Sequence, residues 1–365
     1  MKSKRKRKFC CLPWLIVLFI CLCFAGGDGL IGADVALGAQ KGNAGISTTG
    51  GNNILPAPGE FRSVLNDAYE KYKDVTGGKN ADYIPYLAKV DPNLFGIAIV
   101  TINGDVYEIG DSKFSFAIES ISKVFTLCRV IQDLGARAVE DKIGLNATGL
   151  PFNSVMAVES HKGRTVNPFV NAGAMATVSL VKGDTADVRW NKIMGTMNGF
   201  SGCSLPVNED VYRSESKTNT HNHAIALLLK SYGRFYNDPV ETLDLYTRQC
   251  SVAVTARNLA VMGATLANGG SNPVTRKRVM DKRYVPKILA LMMTNGLYEA
   301  SGEWIYRTGL PGKSGVGGGI LAIVPGKFAI AAFSPPLDEA GNSVRSWKAI
   351  EYVAERMKAN LFHSP

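Results

Sequence analysis

The chain has 365 residues, of which 46% are hydrophobic and 20% are charged, and its formal net charge is +10. This length allows a large core, in one domain or in two closely packed ones, and the composition is ordinary for a soluble enzyme. Six of the 41 basic residues lie within the first eight positions, so the rest of the chain has 35 basic residues against 31 acidic ones. An excess of four is too small to indicate nucleic-acid binding.

The N-terminus has the layout of a secretory signal. The six basic residues precede an apolar stretch over residues 9–25, an order that is typical of exported proteins. The stretch is also near the lower length limit for a membrane span, so an uncleaved anchor is an alternative, and a cytoplasmic protein with a misassigned start is a third. We expect residues 1–38 to be a signal peptide or membrane anchor, and the protein to be periplasmic, secreted or anchored through this leader alone.

Residues 39–58 are rich in Gly, Asn and Thr, which predicts a flexible linker and leaves residues 59–365 as the folded domain. Four of the seven cysteines lie in the leader, and the other three, Cys128, Cys203 and Cys250, form no CxxC pair. The four histidines form no HExxH pattern. These residues predict neither a disulfide framework nor a metal site, and we expect no metal or cofactor.

The domain is predicted to open with a helix and a hairpin. Helical periodicity begins at Phe61. Residues 94–110 then form two apolar runs joined by Asn103 and Gly104. This dipeptide is typical of type I′ hairpin turns, in which both central residues have a positive φ.

A second helix is predicted just after Ser120. Apolar residues recur at helical spacing from Ile121 to Leu134, and Gly135 is a good terminator. Ser120 therefore lies where a strand passes into a helix, and Lys123 lies one turn later on the same face.

This spacing suits nucleophilic catalysis. A serine hydroxyl becomes a nucleophile when a base takes its proton, and a lysine is such a base once burial and its neighbours lower its pKa. The free N–H groups and the positive dipole end of a helix start would favour an oxyanion and disfavour an ammonium. Ser-x-x-Lys also begins at Ser3, Ser179 and Ser214, so the pattern alone does not decide. The alternative is an N-cap serine with Lys123 as a solvated charge.

The remaining elements are mostly helices, with strands returning near the C-terminus. Residues 140–166 are predicted to be loop-like, and residues 182–210 to be a connection or a small subdomain. Helices are predicted over residues 167–181, 222–232, 239–250, 251–268 and 343–361, and a hairpin over residues 312–323 and 327–333. Strands from both ends around a helical middle indicate an α+β fold with an antiparallel sheet.

Two motifs and several longer strings carry a family resemblance. Lys313-Ser314-Gly315 begins a predicted strand, and penicillin-recognising serine acyl-transferases combine such a motif with S-x-x-K so that its ammonium and hydroxyl bind an anionic or carbonyl group. The strings ESISKVF, NPFVNAGAM, YRSE, LDLYTRQCS, NGLYEASGE and GLPGKSGVGGGI occur in this order. Over residues 60–362 they closely resemble the serine-dependent glutaminases, which implies a β-lactamase-like fold.

The resemblance implies hydrolysis of L-glutamine to L-glutamate and ammonia through a γ-glutamyl ester on Ser120. Lys123 would be the general base, and Tyr246 would share the proton transfer. The implied substrate-binding residues are Ser120, Asn171, Glu215, Asn222, Tyr246, Tyr298 and Val316. Among them, Glu215 would pair with the ammonium, Asn171, Asn222 and Tyr298 would bind the carboxylate, and the N–H groups of Ser120 and Val316 would form an oxyanion hole. The family also implies a homo-oligomer, a dimer or tetramer.

Each of these residues has a structural alternative. The two tyrosines would also fit a core, Glu215 a solvated helix face, the asparagines helix N-caps, and Val316 a bulged strand. His221 stands where the family usually has arginine, which puts a local ion pair in doubt. The functional alternatives are a penicillin-binding or β-lactamase-like acyl-transferase and a non-catalytic ligand sensor tethered to the membrane.

Overall fold

The computed structural model of the chain describes residues 55–161 and 165–363. The predicted leader, residues 1–38, and all but the last four residues of the predicted linker, residues 39–58, lie outside the described residues, so both stay predictions. Within the described part of the chain, no helix combines the length and hydrophobicity that crossing a membrane requires.

The secondary structure consists of seven strands and thirteen α-helices among the described residues. The strands are β1 (Gly96–Thr101), β2 (Val106–Gly110), β3 (Phe116–Ala117), β4 (Ala253–Val254), β5 (Gly312–Ser314), β6 (Gly319–Val324) and β7 (Phe328–Phe333). The helices are α1 (Pro58–Tyr72), α2 (Ser122–Leu134), α3 (Ala136–Lys142), α4 (Val155–Ser160), α5 (Asn171–Ser179), α6 (Ala186–Ser201), α7 (Glu209–Thr218), α8 (Thr220–Ser231), α9 (Pro239–Cys250), α10 (Ala256–Ala267), α11 (Val285–Asn295), α12 (Ser301–Thr308) and α13 (Val344–Arg356).

Five of the strands form one antiparallel sheet in the order β2-β1-β7-β6-β5. Strand side chains alternate between the two faces of a sheet, so each central strand contributes to two cores. Along β1, Ala98 and Val100 pack on the side that α10 covers, whereas Ile97 and Ile99 pack on the side covered by α1 and α13. Strands from both ends of the domain thus form one sheet that packs against the helical middle, which confirms the predicted α+β architecture.

The β1–β2 hairpin confirms the two predicted strands but not the predicted type I′ turn. The Thr101 N–H donates to the Asp105 carbonyl at 3.0 Å, and the Gly104 N–H donates to the Thr101 carbonyl at 3.0 Å. Gly104 has a φ of 96°, whereas Asn103 has no positive φ. The loop therefore spans residues 102–104, and glycine alone adopts the positive φ, as in hairpins closed by a bulge.

Residues 182–210, which were predicted to be a connection or a small subdomain without a named helix, contain all of α6 and the start of α7. The Thr185 hydroxyl caps the N-terminus of α6, and Gly202, with a φ of 74°, ends it. Arg189 is buried on α6 and forms an ion pair with Glu241 of α9. The polar and glycine residues of α6 interrupt the regular spacing of its apolar residues, so the sequence does not show the helix. The cap and the tertiary contacts stabilise it. Helix α4 likewise lies inside the predicted loop.

Trp304 of α12 provides a test of the core that supports β5. Its Nε1 donates to the Leu310 carbonyl at 2.8 Å, and its buried ring meets Trp347 edge-on with the centroids 5.0 Å apart. We expect Trp304→Ala to lower the free energy of unfolding by about 3–5 kcal/mol, because it leaves a cavity and an unpaired carbonyl. Urea unfolding measures this. Tyr306→Ala, on the same helix but 89% exposed, should change it by less than about 0.5 kcal/mol, and equal effects would contradict the packing.

Candidate active site

Ser120 lies in a tight turn between a short strand and a long helix. The chain leaves β3, which pairs with β4, passes through one 3₁₀ turn, Glu119–Ile121, and continues as α2. Ser120 is 6% exposed, and Glu119 has a φ of 50°. Such a left-handed φ is uncommon for a residue other than glycine. Both residues line the same cavity.

Lys123 lies one turn further along α2 and is almost completely buried. Its Nζ donates to Asn171 Oδ1 at 2.7 Å and to the Phe169 carbonyl at 3.3 Å. Burial lowers the pKa of Lys123 to about 8, although the neighbouring acidic groups of Cys250, Glu119 and Glu215 oppose the shift. Near pH 7 roughly a tenth of this amine is therefore unprotonated and able to accept a proton, and this fraction rises as the pH approaches 8.

Asn171 connects the predicted base to three other side chains. It is the first residue of α5, and its Oδ1 accepts hydrogen bonds from Lys123 and, at 3.2 Å, from the Tyr246 hydroxyl. Its Nδ2 donates to Asn222 Oδ1 at 3.1 Å, and Asn222 Nδ2 donates to Asn219 Oδ1 at 2.7 Å. The chain of amides fixes which atom of Asn171 faces Lys123, because only the oxygen accepts.

Tyr246 projects from α9 into the same cluster. It is buried, and its ring centroid lies 5.8 Å from Lys123 Nζ. Burial raises the pKa of the Tyr246 phenol well above its ordinary value. Among the described residues, no hydrogen bond joins Lys123 Nζ to the Ser120 hydroxyl, and catalytic hydrogen bonds often form only when the substrate is bound.

Ser120 opens onto a cavity of about 300 Å³. Six of the predicted site residues line it, and so do residues that sequence analysis missed. The predicted ones are Ser120, Asn171, Glu215, Asn222, Tyr246 and Val316, and the missed ones include Tyr83, Glu119, Phe152, Asn153 and Asn219. Lys123 lies behind this lining. The volume suits an amino acid rather than a large ligand.

Tyr298 is the one predicted substrate contact that does not line this cavity. It has a φ of 53° and its ring packs against Phe152, with the centroids 4.5 Å apart. Its hydroxyl lies 3.5 Å from the Ser314 carbonyl, and burial raises its pKa while interactions with Ser120 and Ser314 oppose that rise. Tyr298 therefore supports the wall of the cavity, and its hydroxyl interacts with Ser120.

The Lys313-Ser314-Gly315 motif does not direct its ammonium into the cavity. Lys313 is fully buried on β5, and its Nζ donates to the carbonyls of Gly296 at 2.8 Å and of Ser314 at 2.7 Å. Burial lowers its pKa well below the ordinary value, and the charge of Lys123 adds to the effect. In this chain the Lys313 side chain therefore binds two backbone carbonyls, unlike the same motif in penicillin-recognising acyl-transferases, which binds a substrate group.

The segment after β5 packs closely against the turn that holds Ser120. A Cβ on Gly315 would lie 2.7 Å from the Ile118 carbonyl oxygen, and one on Gly317 would lie 2.4 Å from that of Ala117. Val316 lies between these glycines and lines the cavity, and among the described residues its N–H has no backbone hydrogen-bond partner. This N–H is therefore available for a substrate oxygen.

Two carboxyl groups lie together beside Ser120. Glu119 is 3% exposed, and burial, followed by repulsion from Glu215, raises its pKa well above the ordinary value. Burial raises the pKa of Glu215 to about 8, against the opposing charge of Lys123. One donor atom each of Glu119, Glu215 and Cys250 lie within 4.8 Å of one another, which is a spacing that a metal ion would also accept.

His221 occupies the rim of the cavity. Its Nε2 donates to the Asn153 carbonyl at 2.7 Å, so it links the start of α8 to the loop before α4. Where an arginine would offer an ion pair, this chain has a hydrogen bond to a backbone carbonyl. The role of His221 was not predictable from periodicity, because Asn153 lies 68 residues away in the chain.

The chain is similar in sequence and in structure to known glutaminases. The family model described as Glutaminase matches residues 78–362. The chain is 56% identical to the glutaminase of Colwellia psychrerythraea over 302 residues, covering 83% of this chain and 97% of that protein. It is 58% identical to the glutaminase of Brucella canis over 287 residues, which cover 79% of this chain and 90% of that protein. The solved structure of the probable glutaminase ybaS has a TM-score of 0.84 and 51% identity, covering 85% of this chain and all of that one.

Gly317 tests the close packing at the nucleophile turn. We expect Gly317→Ala to lower the melting temperature by several degrees, about 1–3 kcal/mol, because its Cβ would meet the Ala117 carbonyl oxygen at 2.4 Å and the backbone would have to shift. Gly195→Ala is the control, since a Cβ in this part of α6 meets nothing within 4 Å. It should leave the melting temperature unchanged or raise it. Tolerance of both changes in a thermal scan would contradict the packing.

Proposed function

The chain belongs to the glutaminase family, and we propose that it hydrolyses L-glutamine to L-glutamate and ammonia with Ser120 as the nucleophile and Lys123 as the general base. The observation that carries this proposal is the buried Lys123, one turn from Ser120, whose pKa is lowered to about 8 while Asn171 holds its Nζ at 2.7 Å. A buried amine of this kind is basic enough to take a proton and is partly neutral at physiological pH.

The cavity offers one group for each part of glutamine. Glutamine carries an ammonium, a carboxylate and a carboxamide. Glu215 supplies a carboxyl group for the ammonium, and Asn171 and Asn222 supply amides for the carboxylate. The Val316 N–H is free for the carboxamide oxygen, near the Ser120 hydroxyl. Analogues that lack one of these groups would leave a buried polar partner unpaired, which favours selectivity for glutamine.

The reaction begins when Lys123 accepts the hydroxyl proton of Ser120 and the oxygen attacks the carboxamide carbon. The resulting oxyanion is held by the N–H groups of Ser120 and Val316. As the carbon–nitrogen bond breaks, the proton passes to the leaving nitrogen and ammonia departs, which leaves a γ-glutamyl ester on Ser120. Water then attacks the ester, gives a proton to Lys123, and Ser120 leaves as the alcohol when that proton returns to its oxygen.

Asn171 and Tyr246 serve the base in this scheme. Both Lys123 and the Tyr246 hydroxyl donate to Asn171 Oδ1, so the amine and the phenol are held on one acceptor. The amine and the phenol are therefore positioned to share the proton transfer in either step.

The alternatives from sequence are a penicillin-binding or β-lactamase-like acyl-transferase and a non-catalytic sensor. The relatives and the solved structure described above carry the name glutaminase, which favours amide hydrolysis over both. The buried position of Lys313, away from the cavity, also disfavours a site that binds a penicillin carboxylate through this ammonium. The homo-oligomer and the export of the protein stay predictions.

Ser120→Ala tests the nucleophile. We expect it to lower ammonia release from L-glutamine by about 10⁴-fold or more, because no ester forms without the hydroxyl. The melting temperature should stay within about 2 °C. Ser122→Ala is the matched control, since this serine lies two residues along and its hydroxyl meets Gln249 and Cys250 instead of the cavity. Turnover by the Ser120→Ala protein near the wild-type rate would exclude the proposed nucleophile.

The pH dependence of kcat tests the base. Only neutral Lys123 accepts a proton, so kcat should fall about tenfold per pH unit below a midpoint near its pKa of about 8. Asn171→Asp puts a carboxylate against Nζ, which favours the ammonium and should move this midpoint to higher pH by about one unit or more. Asn219→Asp, two amides further along the same chain, should move it less. An unchanged midpoint in Asn171→Asp would show that Lys123 does not govern the acid limb.

A further inference from the structure

Two carboxyl groups in the cavity lack any cationic partner among the described residues. Glu119 Oε1 and Glu215 Oε2 are both buried and accept no hydrogen bond there, and neither residue forms an ion pair within that part of the chain. A buried carboxylate that has lost water and gained no partner is strongly destabilising. The pair therefore indicates a site that a cation completes.

The backbone holds Glu119 in this position against its own preference. Its φ of 50° is left-handed, and a Cβ on Gly315 would lie 3.2 Å from Glu119 Cβ, so the segment after β5 confines the side chain. Strain of this kind persists at functional sites, where the surrounding structure imposes it. A strained backbone, burial and an unpaired oxygen all count against a purely structural role for Glu119.

The surrounding groups limit which cation fits. Lys123 Nζ is already hydrogen-bonded to Asn171 and Phe169 and forms no ion pair with either carboxyl group in the described residues. The third candidate metal ligand, Cys250, is a buried thiol whose pKa is raised by burial, so it holds its proton and binds a metal poorly. The titratable groups that face Glu119 from all packed elements are Glu215, Lys123, Cys250, Tyr246, Tyr298 and Tyr83.

An organic ammonium satisfies this site better than a divalent metal. It brings one positive charge rather than two next to Lys123, and its three N–H groups reach two carboxyl groups at once. Ser120 borders the same cavity, so an ammonium held by both carboxyl groups would belong to a molecule that also reaches the nucleophile.

We propose that Glu119 and Glu215 together bind the α-ammonium group of the substrate, and that in the free enzyme near neutral pH the two carboxyl groups retain at least one proton between them, which is released when the ammonium binds. This inference rests on the proposed glutamine hydrolysis and adds Glu119 as a residue that determines specificity for an α-amino acid. Two carboxyl groups this close do not both ionise readily, because each negative charge opposes the other.

The proposal has a distinct pH signature. At low pH both carboxyl groups of the free enzyme tend to hold their protons, because burial raises the pKa of each, so the wild-type pair offers little more negative charge than the single carboxyl group of Glu119→Gln. At high pH the wild-type pair offers two charges to the ammonium and the variant offers only one. The affinity lost in Glu119→Gln should therefore grow with pH, whereas a variant that merely distorts the cavity would lose affinity at every pH.

The test is calorimetric binding of L-glutamine to the full chain carrying Ser120→Ala, with and without Glu119→Gln, at about pH 6 and about pH 8.5. At the lower pH we expect the proteins with and without Glu119→Gln to bind L-glutamine with affinities within about threefold of each other. At the higher pH we expect the protein with Glu119→Gln to bind L-glutamine about tenfold more weakly. The second ligand is 4-carbamoylbutanoate, which is glutamine without its amino group, and Glu119→Gln should bind it as well or better at both values. Glu209→Gln, an exposed charge removed from the same helix as Glu215, should change neither affinity.

A measurement without any Glu119 variant is also available, should that change prevent folding. Titrating L-glutamine into the Ser120→Ala protein in buffers of different ionisation enthalpy near pH 7 should show release of about half to one proton per molecule bound. No proton release, or equal losses of affinity for both ligands at both pH values, would overturn the proposal. Failure of the wild-type protein to release ammonia from glutamine would instead refute the proposed function, so the two failures are distinguishable.

Discussion

The site depends on one hydrogen bond, from Lys123 Nζ to Asn171 Oδ1 at 2.7 Å. A fully buried lysine needs an acceptor, and a carboxylate in that place would keep it charged. An amide oxygen satisfies an N–H of the amine without adding negative charge, so burial lowers the pKa to about 8. The oxygen of Asn171 faces Lys123 because its Nδ2 is committed to Asn222, which makes the amide chain across α5 and α8 part of the base.

The fold assembles the cavity around Ser120 and Lys123 by joining distant parts of the chain. Ser120 and Lys123 follow the N-terminal hairpin, Asn171 begins α5, Tyr246 lies on α9, and Val316 follows β5 at the far end of the domain. In the sheet order β2-β1-β7-β6-β5, strand β5 lies at an edge. The segment that follows β5 packs against residues 117–119. A glycine on each side of Val316 permits that approach, so the sheet edge and the nucleophile turn are positioned as one unit.

The elements with strong local signals were predictable from sequence, and those that rest on tertiary contacts were not. Helix α9 has exactly the predicted bounds, since Pro239 opens it and apolar residues recur along one face. Helix α6 was missed because its glycines and polar residues conceal a helix that the caps and the Arg189–Glu241 pair stabilise. In the site, the family resemblance identified six of the residues that line the cavity but not Tyr83, Asn153 or Asn219. Glu119 lies within the string ESISKVF but was assigned no role, because its importance follows from a φ of 50° and from burial, neither of which the sequence displays.

The carboxyl pair and the base also affect each other. Glu119 and Glu215 are among the groups that raise the pKa of Lys123, against the larger effect of burial. A substrate ammonium that binds between the two carboxyl groups replaces the proton that the pair releases, so the net charge beside Lys123 stays nearly the same. The pKa of Lys123 is then set mainly by its own burial, both in the free enzyme and in the complex. The carboxyl pair can therefore recognise an α-amino acid without changing the protonation of the lysine that lies one turn from Ser120.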